Sequence, residues 1–357
     1  MIEQSIDLEN GWNWMSLGVT PETFTVPVVF ENANGKVLTV KSQSNGTVTY
    51  SGNQWVAKQE KLAMNNREMY VVKTSEPLTL TVTGRRVKPT EVPITVKYGW
   101  NWLGYNGMKT ASLTEALSGL GPQDGDIIKG QRGVAYFDDS EWIGSLSTLV
   151  PGLGYKIQSV ASDDRTFSYP SATSVAGARR AMPDSQLSTL NPQPSTFTPV
   201  DYSNYPANMV LIAQVVADGQ PVSGVELGVF ASVESEESVV DYECREAAVT
   251  DERGLVYITI PGDEPCELTF RVAINGQWSM VNSQSITYET DAVIGTPKAP
   301  FIIDLDNTTG IADNIRETIN NNGDVYDLQG RKIVNRESVN RKLRKGVYIV
   351  NGQKQVK

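Results

Sequence analysis

The chain has 357 residues, 39% of them hydrophobic and 20% charged, a net charge of −10 and no histidine. That length predicts roughly two to four domains of about 100–150 residues, each large enough for a core of its own. The acidity removes the electrostatic basis for binding DNA, RNA or anionic lipid. The lack of imidazole removes histidine bases, histidine zinc ligands and every triad that uses imidazole, whereas carboxylate chemistry of the glycosidase kind survives. No apolar run approaches the ~20 residues of a membrane helix.

The first residues, Met1-Ile2-Glu3-Gln4, lack the basic and apolar stretches of a signal peptide. Either the protein is cytoplasmic or the chain is cut from a longer precursor, and the C-terminal segment below argues for the second. Ile6 and Leu8 then alternate with polar residues before the turn pair Asn10-Gly11. Gly11-Trp12-Asn13-Trp14-Met15 follows, and recurs 88 residues later as Gly99-Trp100-Asn101-Trp102-Leu103. At the same offset Lys41-Ser42-Gln43 matches Lys129-Gly130-Gln131; Trp55 matches Trp142 at 87, and Tyr70 matches Tyr155 at 85. Landmarks kept in order with small drifts are what duplication followed by loop deletion leaves. The modules span 1–89 and 90–172.

In each module the two tryptophans of the motif stand two residues apart, so on a strand they share one face and Asn takes the other. A short helix is predicted at Leu113–Leu120 from its spacing, from the capping pair Ser112 and Glu115, and from Gly119 and Gly121 at its end. The equivalent stretch Thr25–Phe30 carries Pro27 where a first helical turn tolerates it. The remaining segments, Val37–Lys41, Thr47–Tyr50, Met69–Lys73, Leu78–Thr83 and their partners Asp126–Lys129, Val134–Phe137, Tyr155–Gln158 and Thr166–Tyr169, are rich in Val, Thr and Tyr and read as strands.

Trp12, Trp14, Trp55, Trp100, Trp102 and Trp142 are the candidate ligand-binding residues, as aromatic faces for sugar rings. The competing reading is that they fill two small cores, and repetition favours it, because a core has to be rebuilt in each copy. Asp138, Asp139 and Glu141, with Asp124 and Asp126, lack the spacing of a calcium loop and read as solvated turns. No metal or cofactor is expected.

Residues 173–196, rich in Ser, Ala and Pro, read as a linker, partly flexible. From 197 to 305 short strands follow at close spacing: Met209–Val216, Val225–Phe230, Cys244–Val249, Leu255–Ile260, Leu268–Ile274 and Ser285–Tyr288. Their number and spacing suit an immunoglobulin-like β-sandwich. Cys244 and Cys266 both fall here, and the expectation is a disulfide closing a loop of about 20 residues, worth roughly 3 kcal/mol; two reduced thiols are the alternative.

The runs Met209–Val215, Leu227-Gly228-Val229-Phe230, Glu243-Cys244-Arg245 and Asp291–Thr296 resemble a module of surface proteins from Gram-negative gut commensals, where it follows modules with a Gly-Trp-Asn-Trp signature. The resemblance covers most of residues 5–305 and implies location and architecture. Residues 306–357 form a connector and tail. Val325-Tyr326-Asp327-Leu328-Gln329-Gly330-Arg331 and Lys345-Gly346-Val347-Tyr348-Ile349-Val350, near the terminal Lys357, resemble the C-terminal sorting domain of type IX secretion substrates. That resemblance implies export, attachment to the surface and contact with the secretion machinery. The plainer alternative is a β-hairpin that extends the sandwich.

The expected architecture is therefore mostly β: two duplicated small modules each with a short helix, an immunoglobulin-like sandwich and a C-terminal β-hairpin tail. The expected role is a non-catalytic binding, adhesion or spacer protein, extracellular or on the outer-membrane surface. Its partner would be a surface ligand, glycan or protein. The alternative is a carbohydrate-binding accessory region of a larger glycan-processing surface protein. A carboxylate-dependent glycosidase lacks any acid pair flagged by the sequence.

Overall fold

The computed structural model describes residues 1–33, 35–57, 63–171, 195–234, 240–274 and 276–310, and strand segments at 325–326, 332–334, 347–350 and 353–356. The chain is mostly β-strand in several sheets, with few and short helices. Most of the predicted linker, 172–194, lies outside the described residues.

The first unit runs through β1 (Ile2–Leu8), β2 (Gly11–Met15), β3 (Val19–Thr20), α1 (Val26–Val29), β4 (Val37–Ser42), β5 (Gly46–Ser51), β6 (Gln54–Ala57), β7 (Tyr70–Thr74) and β8 (Leu78–Arg86). Strand β1 pairs with β8 antiparallel over its full length, and β3 adds to the far end of β8. The other five strands form an antiparallel sheet ordered β2-β7-β4-β5-β6. In β1, Gln4, Ile6 and Leu8 are buried while their neighbours face outward, the alternation of a strand with one wet side. Ile6, Leu8, Met15, Val40, Tyr70, Val72 and Leu80 meet Val26 and Val29 of α1 in one core.

The second unit repeats this order with β9 (Ile94–Val96), β10 (Gly99–Gly104), β11 (Ala111–Ser112), α2 (Leu113–Ala116), β12 (Ile127–Lys129), β13 (Val134–Asp138), β14 (Glu141–Gly144), β15 (Thr148–Leu149), β16 (Gly154–Ser159) and β17 (Arg165–Phe167). Its main sheet is ordered β10-β16-β12-β13-β14, and β9 pairs with β17. The Ser112 hydroxyl caps α2 by accepting from the Glu115 amide at 3.1 Å. A 3-10 turn, Ser118–Leu120, follows, and Gly121 ends it at φ +62°. The helix is half the predicted length because the chain tightens there. The Asn65 amide donates to the Tyr70 hydroxyl at 2.7 Å, and the Val150 amide donates to the Tyr155 hydroxyl at 2.7 Å, at the same offset of 85 residues that relates the tyrosines.

The third unit contains β18 (Ala207–Ala217), β19 (Gln220–Pro221), β20 (Glu226–Glu234), β21 (Val240–Val249), β22 (Leu255–Gly262), β23 (Glu267–Ile274), β24 (Gln277–Thr287), β25 (Val293–Ile294), β26 (Phe301–Asp304) and β27 (Thr308–Gly310). One sheet centres on β18, with β22 and β19 antiparallel to it and β25 and β26 parallel. The other is ordered β21-β20-β23-β24-β27. Met209, Leu211, Ala213 and Val215 point into a core shared with Leu227, Val229, Ile258, Phe270 and Val272. Val210 and Ile212 point the other way, into a cluster with Ile127 and Val134 of the second unit. Strand β18 is thus buried on both faces, which is why its sequence is an unbroken apolar run.

Two expectations need correction. Strand β24 begins at Gln277, eight residues before the predicted start, because its first half carries an outward Trp278 that hides the strand pattern. Cys244 and Cys266 are free thiols. Cys244 packs with Phe197, Phe230 and Ala273 on the outer side of its sheet, whereas Cys266 packs against the core on the inner side. A disulfide needs Cβ atoms about 4 Å apart, and the sheet stands between these two.

In the tail, β28 (Val325–Tyr326), β29 (Lys332–Val334), β30 (Val347–Val350) and β31 (Gln353–Val356) form one antiparallel sheet ordered β29-β28-β30-β31. The Asp327–Arg331 and Lys345-Gly346 parts of the sorting signature lie outside the described residues.

Candidate functional site at the cation–aromatic junction

The Gly-Trp-Asn-Trp motif has a local explanation. Gly11 and Gly99 take φ of +100° and +82°, which favours glycine. Asn13 then folds back over the turn: its Oδ1 accepts from the Glu9 amide at 2.8 Å, and its Nδ2 donates to the carbonyls of Glu9 (2.9 Å) and Gly11 (3.1 Å). Asn101 makes the same three bonds with Lys97 and Gly99, at 2.8, 2.7 and 2.9 Å. With Asn holding the turn, both tryptophans project from the opposite face, away from the unit's own core.

Those outer faces meet each other across reciprocal bonds. The Gln43 side chain donates to the Trp100 carbonyl (3.0 Å) and accepts from the Trp102 amide (2.7 Å). Gln131 does the same to Trp12 (2.7 Å) and Trp14 (3.0 Å). The Ser16 amide donates to the Gly152 carbonyl and the Gly104 amide to the Arg67 carbonyl, both at 2.9 Å. Each bond has its counterpart with the units exchanged, the signature of a local two-fold relation. Trp12, Trp14 and Trp102 gather there with Met69 and Val71.

The third unit docks on one side of this junction. Trp14 Nε1 donates to the Pro206 carbonyl (3.0 Å) and Trp100 Nε1 to the Asp291 carbonyl (2.8 Å). Lys129 Nζ lies 4.5 Å from the Trp100 ring centre, donates to the Asn208 carbonyl at 2.8 Å and pairs with the Asp291 carboxylate at 2.8 Å. Lys156 Nζ sits between the rings of Trp14 (5.0 Å) and Trp102 (4.9 Å) and meets the same carboxylate at 2.8 Å. Burial pushes the Lys129 amine down to about 8; Asp291 opposes this and Lys156 adds to it. Burial also lowers Lys156, against the pull of Asp291. Burial pushes Asp291 up, but the two ammonium groups outweigh it and hold the carboxyl below its usual range. A carboxylate shared by two buried cations with aromatic walls joins three units at one point.

None of the six candidate tryptophans is fully exposed. Trp14 is 2% exposed and Trp12, Trp100 and Trp102 are half-buried in the junction, so the four motif residues lie between units and not inside the cores. Trp55 and Trp142 do pack against the cores, each beside a second aromatic ring, Tyr50 and Phe137. Trp55, with Phe30, Glu31 and Tyr50, also borders a cavity of about 260 Å³. The aromatic side chain most open to solvent among the seven tryptophans is one the motif search missed, Trp278, at 44%. The Arg271 guanidinium lies 4.8 Å from its ring and 4.1 and 5.1 Å from those of Phe230 and Tyr242. Its signal in the sequence was an isolated Trp between Gln277 and Ser279, outside any repeat.

The acidic residues divide. Asp126 is fully buried, not solvated: it accepts from the Gln123 and Val160 amides and pairs with Arg165. Asp124, Asp138 and Asp139 place carboxylate oxygens within 4.8 Å of one another, and Lys298 pairs with Asp138 at 2.5 Å.

No protein-family model and no curated protein matches the chain. Among solved structures it is similar to a group B streptococcus pilus 2b backbone protein, at 10% identity and a TM-score of 0.19 over 85% of this chain and 90% of that one. It is also similar to the Bacillus anthracis TIE protein, at 12% identity and a TM-score of 0.18 over 84% of this chain and 48% of that one. Scores this low establish neither a shared fold nor a shared role. No helix among the described residues is long and apolar enough to cross a membrane.

Proposed function

We propose that this is a non-catalytic protein of the cell exterior in which two duplicated modules hold an immunoglobulin-like sandwich in a fixed relation and present it, as a spacer or adhesive element. The observation that carries this reading is the use of the motif tryptophans: they are spent on joining units, with Lys129, Lys156 and Asp291 locking the joint. A presenting scaffold needs such a joint, and a catalytic cleft does not. The resemblance of the tail to a sorting domain supports that location. A protease site placed within 172–194 tests the scaffold: after cleavage the two pieces should co-elute on size exclusion, and separation would refute the reading. Deleting residues 323–357 should abolish delivery to the surface in a host with type IX secretion.

The second reading, a carbohydrate-binding accessory region, is favoured by the Trp55 cavity with its aromatic walls and one carboxylate, Glu31. Its size suits a single sugar unit. A glycan array should then give signals that Trp55→Ala removes and Trp278→Ala leaves.

A further inference from the structure

The outer faces of the two main sheets are counterparts, and among the described residues only the second is covered by the third unit. In the second sheet, Ile127, Val134, Tyr136 and Ile143 pack with Trp100 against Val210, Ile212, Leu255 and Tyr257 of the third unit. Strand register identifies the matching positions of the first sheet as Thr39, Thr47, Thr49 and Val56. Thr47, Thr49 and Val56 are exposed and Thr39 is half-buried.

The cationic corner is kept on this uncovered face. Lys41 Nζ lies 4.4 Å from the Trp12 ring centre, as Lys129 lies 4.5 Å from that of Trp100. A second amine, Lys73, stands 5.3 Å from the Trp12 ring; in the other unit the second amine is Lys156, two residues out of register on the same face. The covered corner holds two lysines and one carboxylate, whereas the uncovered corner holds two lysines and, among the described residues, no carboxylate. Trp12 Nε1 also has no acceptor among the described residues, where Trp100 Nε1 has the Asp291 carbonyl. Burial, and then the neighbouring Lys73 charge, lower the Lys41 amine.

We infer that the Trp12–Lys41–Lys73 corner of the first sheet is a docking site for an acidic turn of a partner protein, received as the Asp291 turn is received by Trp100, Lys129 and Lys156. The carboxylate would enter between the two amines, and a backbone carbonyl of the turn would accept from Trp12 Nε1. A protein turn is favoured over a sugar acid because Trp100 and Lys129 in the filled corner make three contacts to backbone or side-chain atoms of a turn and its neighbouring strand. The inference goes beyond the scaffold reading and holds wherever the protein resides.

The test uses the full chain and a cyclised peptide of residues 288–295, which carries Glu289 and Asp291, followed through the indole N–H signals in NMR. The Trp12 signal should move saturably while those of Trp14 and Trp100 stay, and Asp291→Asn in the peptide should weaken binding at least about tenfold. The variant K41E/K73E should abolish the shift; if it disturbs the Trp100 signal, K73Q alone should still weaken binding several-fold. A Trp12 signal that does not respond, or a response that survives in these variants, would overturn the inference. So would tetragalacturonate moving the Trp12 signal where the peptide does not, since the face would then read a sugar acid.

Discussion

Asp291→Asn isolates the charge that joins the three units. Asp291 sits at φ +65°, a conformation Asn also tolerates, so the substitution adds little backbone strain. Shape is nearly kept, but Lys156 (3% exposed) loses its carboxylate and Lys129 (0%) keeps only the Asn208 carbonyl. Removing one partner of a buried pair costs about 3–5 kcal/mol. The Asp291 side chain retains 23% exposure, which places the cost at the lower end, near 3 kcal/mol, or a fall of roughly 4–5 °C in melting temperature if the three units unfold together. The triple variant Asp291→Asn, Lys129→Met, Lys156→Met removes the stranded cations as well and should recover most of the loss. The assay is thermal unfolding of all three proteins at neutral pH. A cost below about 1 kcal/mol for the single variant, or a triple variant worse than the single, would refute the view of this pair as a buried, mutually dependent joint.

The same groups set a pH profile. Lys129 titrates near 8 when folded and near 10.5 when unfolded, so between these values the unfolded chain holds the extra proton and stability rises with pH; Lys129→Met should flatten that limb. Above pH 10 stability should fall, because Tyr155 and Tyr169, raised by burial, ionise only on unfolding. On the acid side Asp291, held low by its two lysines, contributes stability present above pH 3.8 and lost as pH falls through its depressed value, which urea titrations at pH 3 and 5 should reveal. Asn13→Ala and Asn101→Ala each delete three turn bonds, and each should cost about 1–3 kcal/mol by chemical denaturation, Asn13 the more because it is buried. In the native protein Cys266 should alkylate before Cys244, whose thiol burial pushes up to about 12; mass spectrometry showing a Cys244–Cys266 bridge would contradict the opposite-side packing.

Much of the strand pattern was legible. Tyr70–Thr74 and Leu78–Arg86 lie within three residues of their expected ends, and Leu78–Arg86 alternates because one of its faces is wet and the other dry. The capping pair Ser112 and Glu115 located a helix for the same kind of reason, a bond between near neighbours. What failed depended on distance in space. Trp278 escaped because its strand faces outward with an aromatic, and Asp126 read as solvated because its partner Arg165 lies 39 residues away. The expected disulfide failed because spacing along the chain says nothing about which side of a sheet a side chain takes. Asp291, the group on which the junction turns, carried no local signal at all: it is one acid in a turn until Lys129 and Lys156 arrive from another unit.

Trp55 and Trp142 pack against the cores as repetition suggests, but the four motif tryptophans show how it can mislead. A core has to be rebuilt in every copy, so residues repeated in both copies read as core. An interface between the two copies has the same requirement. Under a two-fold relation each unit presents the same patch to the other, so Gln43 and Gln131, and the motif strands they cap, must be kept in both. Repetition therefore cannot separate the two cases, but divergence can. Core positions such as Tyr70 and Tyr155 stay alike. The outer face differs, with Thr39, Thr47, Thr49 and Val56 in the first sheet against Ile127, Val134, Tyr136 and Ile143 in the second, where β18 and β22 of the third unit pack on that face. Where the copies differ marks where each meets something the other does not, and Lys41, which matches Lys129, together with Lys73 over Trp12 is the part of that face equipped to receive a carboxylate.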